Sequence, residues 1–227
     1  MKLKIVFCLS VLLIMFACTE DGVYSCDPSV DSWVKENKSE IQRMNRSQWL
    51  DLDENLSMAA YRAFTPKQRI QFWEERFDEI KQLPWSDKEL KHISGVEDFM
   101  NNHQNFFEDK QLNDDQLDEL HLFFYDWSKY ALEELHWDKK VIDGILASGR
   151  KMINVKGDML IQTEMKTRSA VVLTYSAEPT CNCNPDYFFA CAPNSDSECN
   201  IKKSCKLVTR SCGFLFLLDC NGLCDPL

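Results

Sequence analysis

Three features of the sequence predict a mainly α protein, an N-terminal helical bundle followed by a small disulfide-rich, irregular C-terminal domain. Seven Gly and seven Pro in 227 residues are few for an all-β chain. Capping residues recur just ahead of apolar positions spaced three and four apart, the signature of amphipathic helices. Eight of the eleven cysteines fall between Cys181 and Cys224, a density expected of a crosslinked exported segment. With 44% hydrophobic and 27% charged residues, the chain is globular in composition. A formal net charge of −10 makes nucleic acid and anionic lipid headgroups poor partners, since both need a basic footprint.

Residues 1–17 read as a signal peptide, with Lys2 and Lys4 ahead of the apolar run Ile5 to Phe16. That run is too short for a permanent transmembrane helix. Its end, Met15-Phe16-Ala17-Cys18, resembles a bacterial lipobox, which implies acylation of Cys18. Residues 18–26 then form a tether, acidic through Glu20 and Asp21, similar to surface-export tethers of some Gram-negative lipoproteins. The competing reading is an ordinary cleavage before Cys26, with Val23 and Ser25 as the small residues. Two acyl chains suffice for stable anchoring, so the expected location is the cell envelope or surface, with the body in water.

Composition changes near residue 180. Residues 18–180 carry 20 basic against 31 acidic residues, whereas 181–227 carry four against five. Residues 27–150 read as the helical domain. Asp27 to Asn37 leads into it, and Asp53 to Phe64 is a short helix in which Ala59, Ala60 and Ala63 allow close packing. Thr65 caps a helix that starts at Pro66 and buries Ile70, Trp73, Phe77 and Ile80. Ser86 with Glu89 is a capping box ahead of Leu90, Ile93, Val96 and Met100. Asn113 with Gln116 opens a helix carrying Leu117, Phe124, Trp127 and Ala131. Asp138 opens the last, with Val141, Ile142, Ile145 and Leu146, ending at Gly149 as its C′ residue. Five or six helices with an acidic outer surface are expected. Residues 151–180 are a connecting segment, with a turn at Gly157-Asp158, strand propensity at Val171-Val172-Leu173 and a linker over 176–180.

The C-terminal domain, 181–227, is too small to hold itself by apolar burial alone. Cys181, Cys183, Cys191, Cys199, Cys205, Cys212, Cys220 and Cys224 therefore read as four disulfides, each contributing about 2–4 kcal/mol. Spacing does not give the pairing, although Cys181 and Cys183 are too close to bond each other. Zinc at Cys181, Cys183, Cys220 and Cys224 is the alternative, disfavoured by the lack of a C-x-x-C pair or a tail histidine. If Cys18 is acylated, Cys26 is left over as a free thiol or an intermolecular bridge. The apolar runs Tyr187-Phe188-Phe189 and Phe214 to Leu218 either insert into a bilayer or form a core beneath the crosslinks, or dock on the helical part. A nearly neutral tail favours the latter.

The order Cys181-Asn182-Cys183, Cys212-Gly213-Phe214-Leu215-Phe216 and Cys220-Asn221-Gly222-Leu223-Cys224 resembles the fulvocin C-related bacteriocin proteins. So do Trp33-Val34-Lys35-Glu36-Asn37, Met44-Asn45-Arg46 and Ala60 to Pro66 running into Phe72-Trp73. Ser211 departs from the expected pattern, standing where a second glycine precedes Cys212. The resemblance implies a bacteriocin-like tail acting by binding or bacterial antagonism, with an unknown protein or a target-cell surface as partner. It brings no processing signal: no Gly-Gly leader precedes Cys181, and Lys166 and Arg168 are ordinary basic residues.

No enzyme, cofactor or metal is expected. Glu89/His92, Asp118/His121 and Glu133/His136 repeat an E/D-x-x-H spacing used in di-iron bundles, but acidic residues are abundant and such pairs are common on solvated faces. Disulfide-bonded cysteines offer no thiolate nucleophile. The alternative function is a non-toxic surface lipoprotein that keeps both parts together as a structural or ligand-binding module.

Overall fold

A computed structural model describes residues 22–25, 27–160, 183–185, 187, 197–202 and 208–226. It is mainly helical. In chain order the helices are α1 (Pro28–Ile41), α2 (Arg46–Leu50), α3 (Glu54–Arg62), α4 (Pro66–Lys81), α5 (Asp87–Asn102), α6 (Asp114–Glu133) and α7 (Lys139–Leu146), with a 3-10 turn at Gln104–Phe107. Each helix begins with a side chain that accepts a backbone N–H: Asp27, Asn45, Asp53, Thr65, Ser86, Asn113 and Asp138. These caps satisfy donors that the first turn leaves unpaired, each worth about 1 kcal/mol. Thr65/Gln68, Ser86/Glu89 and Asn113/Gln116 close full capping boxes.

The lead-in over Asp27 to Asn37 is itself a helix. Asp27 caps it, Pro28 fills its first position, and Val30, Val34 and Ile41 are buried. This α1 packs on α3, where the small Ala59, Ala60 and Ala63 are covered as expected. On α4 the buried stripe includes Trp73, Phe77 and Ile80, with Phe72 beside them, while Ile70 is half-buried. Gly149 is not the C′ residue of α7, which ends at Leu146 with Ala147 as its cap. Gly149 is small for another reason: a Cβ there would lie 2.5 Å from the Trp49 ring and 3.0 Å from Phe72. The expected turn forms at Gly157, whose φ is +79°, between the bridged Met152 and Met159. Val171 to Leu173 and the linker over 176–180 lie outside the described residues.

The described residues of the C-terminal segment form four short strands, β1 (Ser197–Asn200), β2 (Val208–Cys212), β3 (Leu218–Cys220) and β4 (Leu223–Pro226). β1 pairs antiparallel with β4, and β2 with β3. Among the described residues two disulfides, Cys183–Cys199 and Cys212–Cys220, tie this segment. Ser211 fits without strain: its backbone is not left-handed, and its hydroxyl accepts from Arg62 Nε at 2.7 Å. Positive φ falls instead at its neighbours Arg210 (+53°) and Gly213 (+67°), and at Leu215 and Phe216; at Gly213 a Cβ would lie 2.6 Å from a Leu218 methyl. Between β2 and β3 a 3-10 turn at Phe214–Phe216 leads into Leu217 and Leu218, and all five side chains are buried. They belong to the same apolar core as the helices.

Candidate functional site

The structure directs attention to the seam where the C-terminal segment meets the helices. Phe216 is wedged edge-on between Tyr61 (4.9 Å between centroids) and Trp73 (5.2 Å). Phe214 stacks on Phe124 at 3.9 Å and meets Tyr187 edge-on at 4.7 Å. Such aromatic pairs contribute about 0.5–1.5 kcal/mol beyond the area they bury. Polar groups also bond across this seam. Trp73 Nε1 donates to the Tyr61 hydroxyl, which donates to the Leu215 carbonyl. Arg210 donates to the Phe106 carbonyl at 2.9 Å. Burial pushes the Tyr61 phenol up to about 12, although Arg69, Trp73 and Arg210 pull the other way.

Tyr187 joins the segment to α7. Its hydroxyl donates to Asp143 Oδ1 at 2.9 Å. Burial raises the Asp143 carboxyl to about 7, against the opposing effect of that hydrogen bond, and raises the Tyr187 phenol well above its ordinary value. Below α7, the buried Arg76 donates to the Gly144 and Ser148 carbonyls, where a cation complements the helix C-terminus. Burial pulls it down to about 9, so it stays cationic at neutral pH.

Alongside this seam runs a cleft of about 750 Å³ between α6 and the C-terminal segment. Phe124 and Leu132 of α6 form one wall, and Pro185, Tyr187 and Phe214 the other. Tyr125, Lys129 and Glu133 stand at the rim. Two polar side chains also line it, and each holds a buried atom that has no hydrogen-bond partner among the described residues: Ser128 Oγ and His121 Nε2. Ser128 is only 3% exposed. A buried polar group left unpaired costs about 1–3 kcal/mol, so two at one cleft are notable. His121 also borders a smaller cavity of about 290 Å³ that reaches Arg210 and Asp219.

Cys183, Cys199, Cys212 and Cys220 are in the two disulfides, so two of the four sulfurs considered for zinc are already bonded to carbon-borne sulfur. Cys224 lies in β4 opposite Cys199. Cys18, Cys26, Cys181, Cys191 and Cys205 lie outside the described residues, as do residues 1–17. The three E/D-x-x-H pairs do not converge. His92 stacks on Trp127 at 4.3 Å, with Nε2 3.1 Å from that residue's carbonyl, and burial lowers it to about 4. Burial would raise the Glu89 carboxyl, but Trp137 and Ser86 donate to it and hold it below its ordinary value. His121 is at the cleft, and His136 is exposed with φ +56°. Among the described residues no group of three His, Cys, Asp or Glu side chains is placed to hold a metal ion, and no helix is long and apolar enough to cross a membrane.

The sequence reading missed the cleft because it followed acid–histidine spacing. The usable signal was a different one on the same helix: His121, Phe124, Ser128 and Leu132 share one face at intervals of three and four, mixing polar with apolar groups.

In class, then, this is a mainly helical protein with a disulfide-bonded C-terminal segment built into the helical core. The chain matches no protein-family model, and comparison with curated proteins and with solved structures finds no match.

Proposed function

We propose that the protein is an exported, lipid-anchored envelope protein that works whole, as a non-catalytic interaction module, with its C-terminal segment retained on the helices. The observation that carries this reading is the burial of Phe214 to Leu218 in the helical core. A free tail would expose these five apolar side chains to water. It would also leave Phe124, Tyr61 and Trp73 uncovered. Each large apolar side chain transferred to water costs about 1.5–3 kcal/mol, so the intact arrangement is strongly favoured over a detached one. The two disulfides agree with maturation in an oxidising compartment. Cys18 would carry the anchor, and the acidic body would stand off the anionic headgroups.

Mass analysis of the mature protein tests this. The expected result is an uncut chain beginning at an acylated Cys18. A released fragment starting between residues 165 and 181 would overturn it in favour of a bacteriocin-like precursor.

A further inference from the structure

We propose that the cleft beside α6 binds a short extended peptide whose apolar side chains are flanked by basic ones. This inference rests on the reading of the whole chain as a binding module. The walls set the apolar part. Phe124, Leu132, Pro185 and Phe214 accept aliphatic or aromatic side chains, and a volume of about 750 Å³ lies within the roughly 300–1,000 Å³ range of ligand sites.

The unpaired atoms set the backbone part. His121 and Ser128 sit two turns apart on α6, about 10.5 Å along its axis. Three residues of extended chain advance about 10 Å, so one strand can present a carbonyl or amide to each. The Ser128 hydroxyl can donate or accept, and His121 Nε2 can do either according to its tautomer. A ligand with no polar groups would leave both unsatisfied.

Charge sets the flanks. The lining itself carries Glu133 and Lys129, α6 as a whole holds Asp114, Asp115, Asp118, Glu119, Asp126 and Glu133 against one basic residue, Lys129, and the whole chain carries −10. An anionic ligand, such as a fatty acid, meets this field unfavourably, whereas a cationic one is drawn to it. Leu122 and Tyr125, 64% and 58% exposed, extend the apolar surface beyond the cleft for a chain longer than the pocket.

The probes are N-acetylated, C-amidated Lys-Phe-Ser-Leu-Lys, its Glu-Phe-Ser-Leu-Glu counterpart and N-acetyl-phenylalaninamide, titrated calorimetrically into the intact oxidised protein. The lysine peptide is expected to saturate one site and to bind at least about tenfold more tightly than the glutamate peptide at low ionic strength, with the gap narrowing at about 0.5 M salt. Ser128→Ala should weaken it about fivefold without lowering the thermal midpoint, because the lost hydroxyl was unpaired in the free protein. Glu133→Lys, on the exposed rim, should narrow the gap between the two charged peptides. No saturable binding, equal affinity for both charged peptides, or equal affinity for the single-residue amide would each overturn the inference. Any of these with an uncut, acylated chain would leave the proposed function standing, whereas a cleaved chain would remove that function regardless of the peptides.

Discussion

Phe214 of the C-terminal segment lies flat on Phe124 of α6, their centroids 3.9 Å apart and their planes within 8° of parallel. The two residues are 90 positions apart in sequence, so this contact measures whether segment and helices fold as one unit. Truncating either ring to Ala should destabilise the intact protein by about 3–5 kcal/mol. The double variant should cost less than the sum, with a coupling of about 0.5–1.5 kcal/mol. Urea unfolding of the four proteins gives all three values. Additive effects, or a Phe124 variant as stable as the parent, would mean that the segment is not docked on α6.

The Cys212–Cys220 disulfide closes the loop that presents Phe214 to Leu218, across a separation of 8 residues. On the loop-entropy account its removal costs about 2–3 kcal/mol, and that of Cys183–Cys199, across 16 residues, slightly more. Replacing each pair by Ala and repeating the unfolding in oxidised protein should show losses of that size, with the shorter loop also increasing proteolysis near Leu217. Parent and variants that unfold at the same denaturant concentration would show that packing alone holds the segment.

Much of the helical part was legible because its signals are local. Thr65-Pro66, Ser86/Glu89 and Asn113/Gln116 announce helix starts within four residues, and Ile93, Val96 and Met100 then repeat on one face. α2 has only five residues, too few to show a period. The run Phe214 to Leu218 has no period either, since all five side chains are buried. Its destination is decided by Tyr61, Trp73 and Phe124, far away in sequence. Buried arginines were equally hidden: Arg46, Arg69, Arg76 and Arg210 are inside and donate to carbonyls or carboxylates such as those of Phe107, Gly144 and Glu79, each keeping one nitrogen without a partner among the described residues, which composition cannot reveal. The cleft escaped for the same reason, because its second wall comes from Pro185, Tyr187 and Phe214.

Two glycines separate tertiary from local constraint. Gly149→Ala forces a methyl against the Trp49 and Phe72 rings and should cost about 1–3 kcal/mol, the usual penalty for overpacking. Gly95 lies within α5 with nothing within 4 Å of the added Cβ, so Gly95→Ala should stabilise by about 0.5–1 kcal/mol through helix propensity and unfolded-state entropy. Opposite shifts in thermal midpoint are expected. Similar shifts for both would contradict the packing around Gly149.

Asp143 and His92 give the stability an unusual pH dependence. The Asp143 carboxyl is raised from 3.8 to about 7 in the folded protein, chiefly by burial. Its contribution is therefore fully present below about pH 3.8 and is lost as the pH rises through 7. His92 is lowered from 6.5 to about 4, again by burial. Its contribution is fully present above pH 6.5 and is lost as the pH falls through 4. The two slopes oppose each other between about pH 4 and 6.5, so the parent should change little there and then lose stability towards pH 7.5. Asp27 and Glu89, held below their ordinary values of 3.8 and 4.5, add losses only in more acidic solution. Asp143→Asn keeps an acceptor for the Tyr187 hydroxyl and removes the titration. That variant should gain stability steadily from pH 4 to 6.5 and hold it at pH 8. His92→Phe keeps an aromatic ring beside Trp127 and should leave the opposite trend, a decline from pH 4 to 7. Denaturant unfolding across this range distinguishes them, and an Asp143→Asn protein that tracks the parent at every pH would show that the carboxylate is not buried against Tyr187.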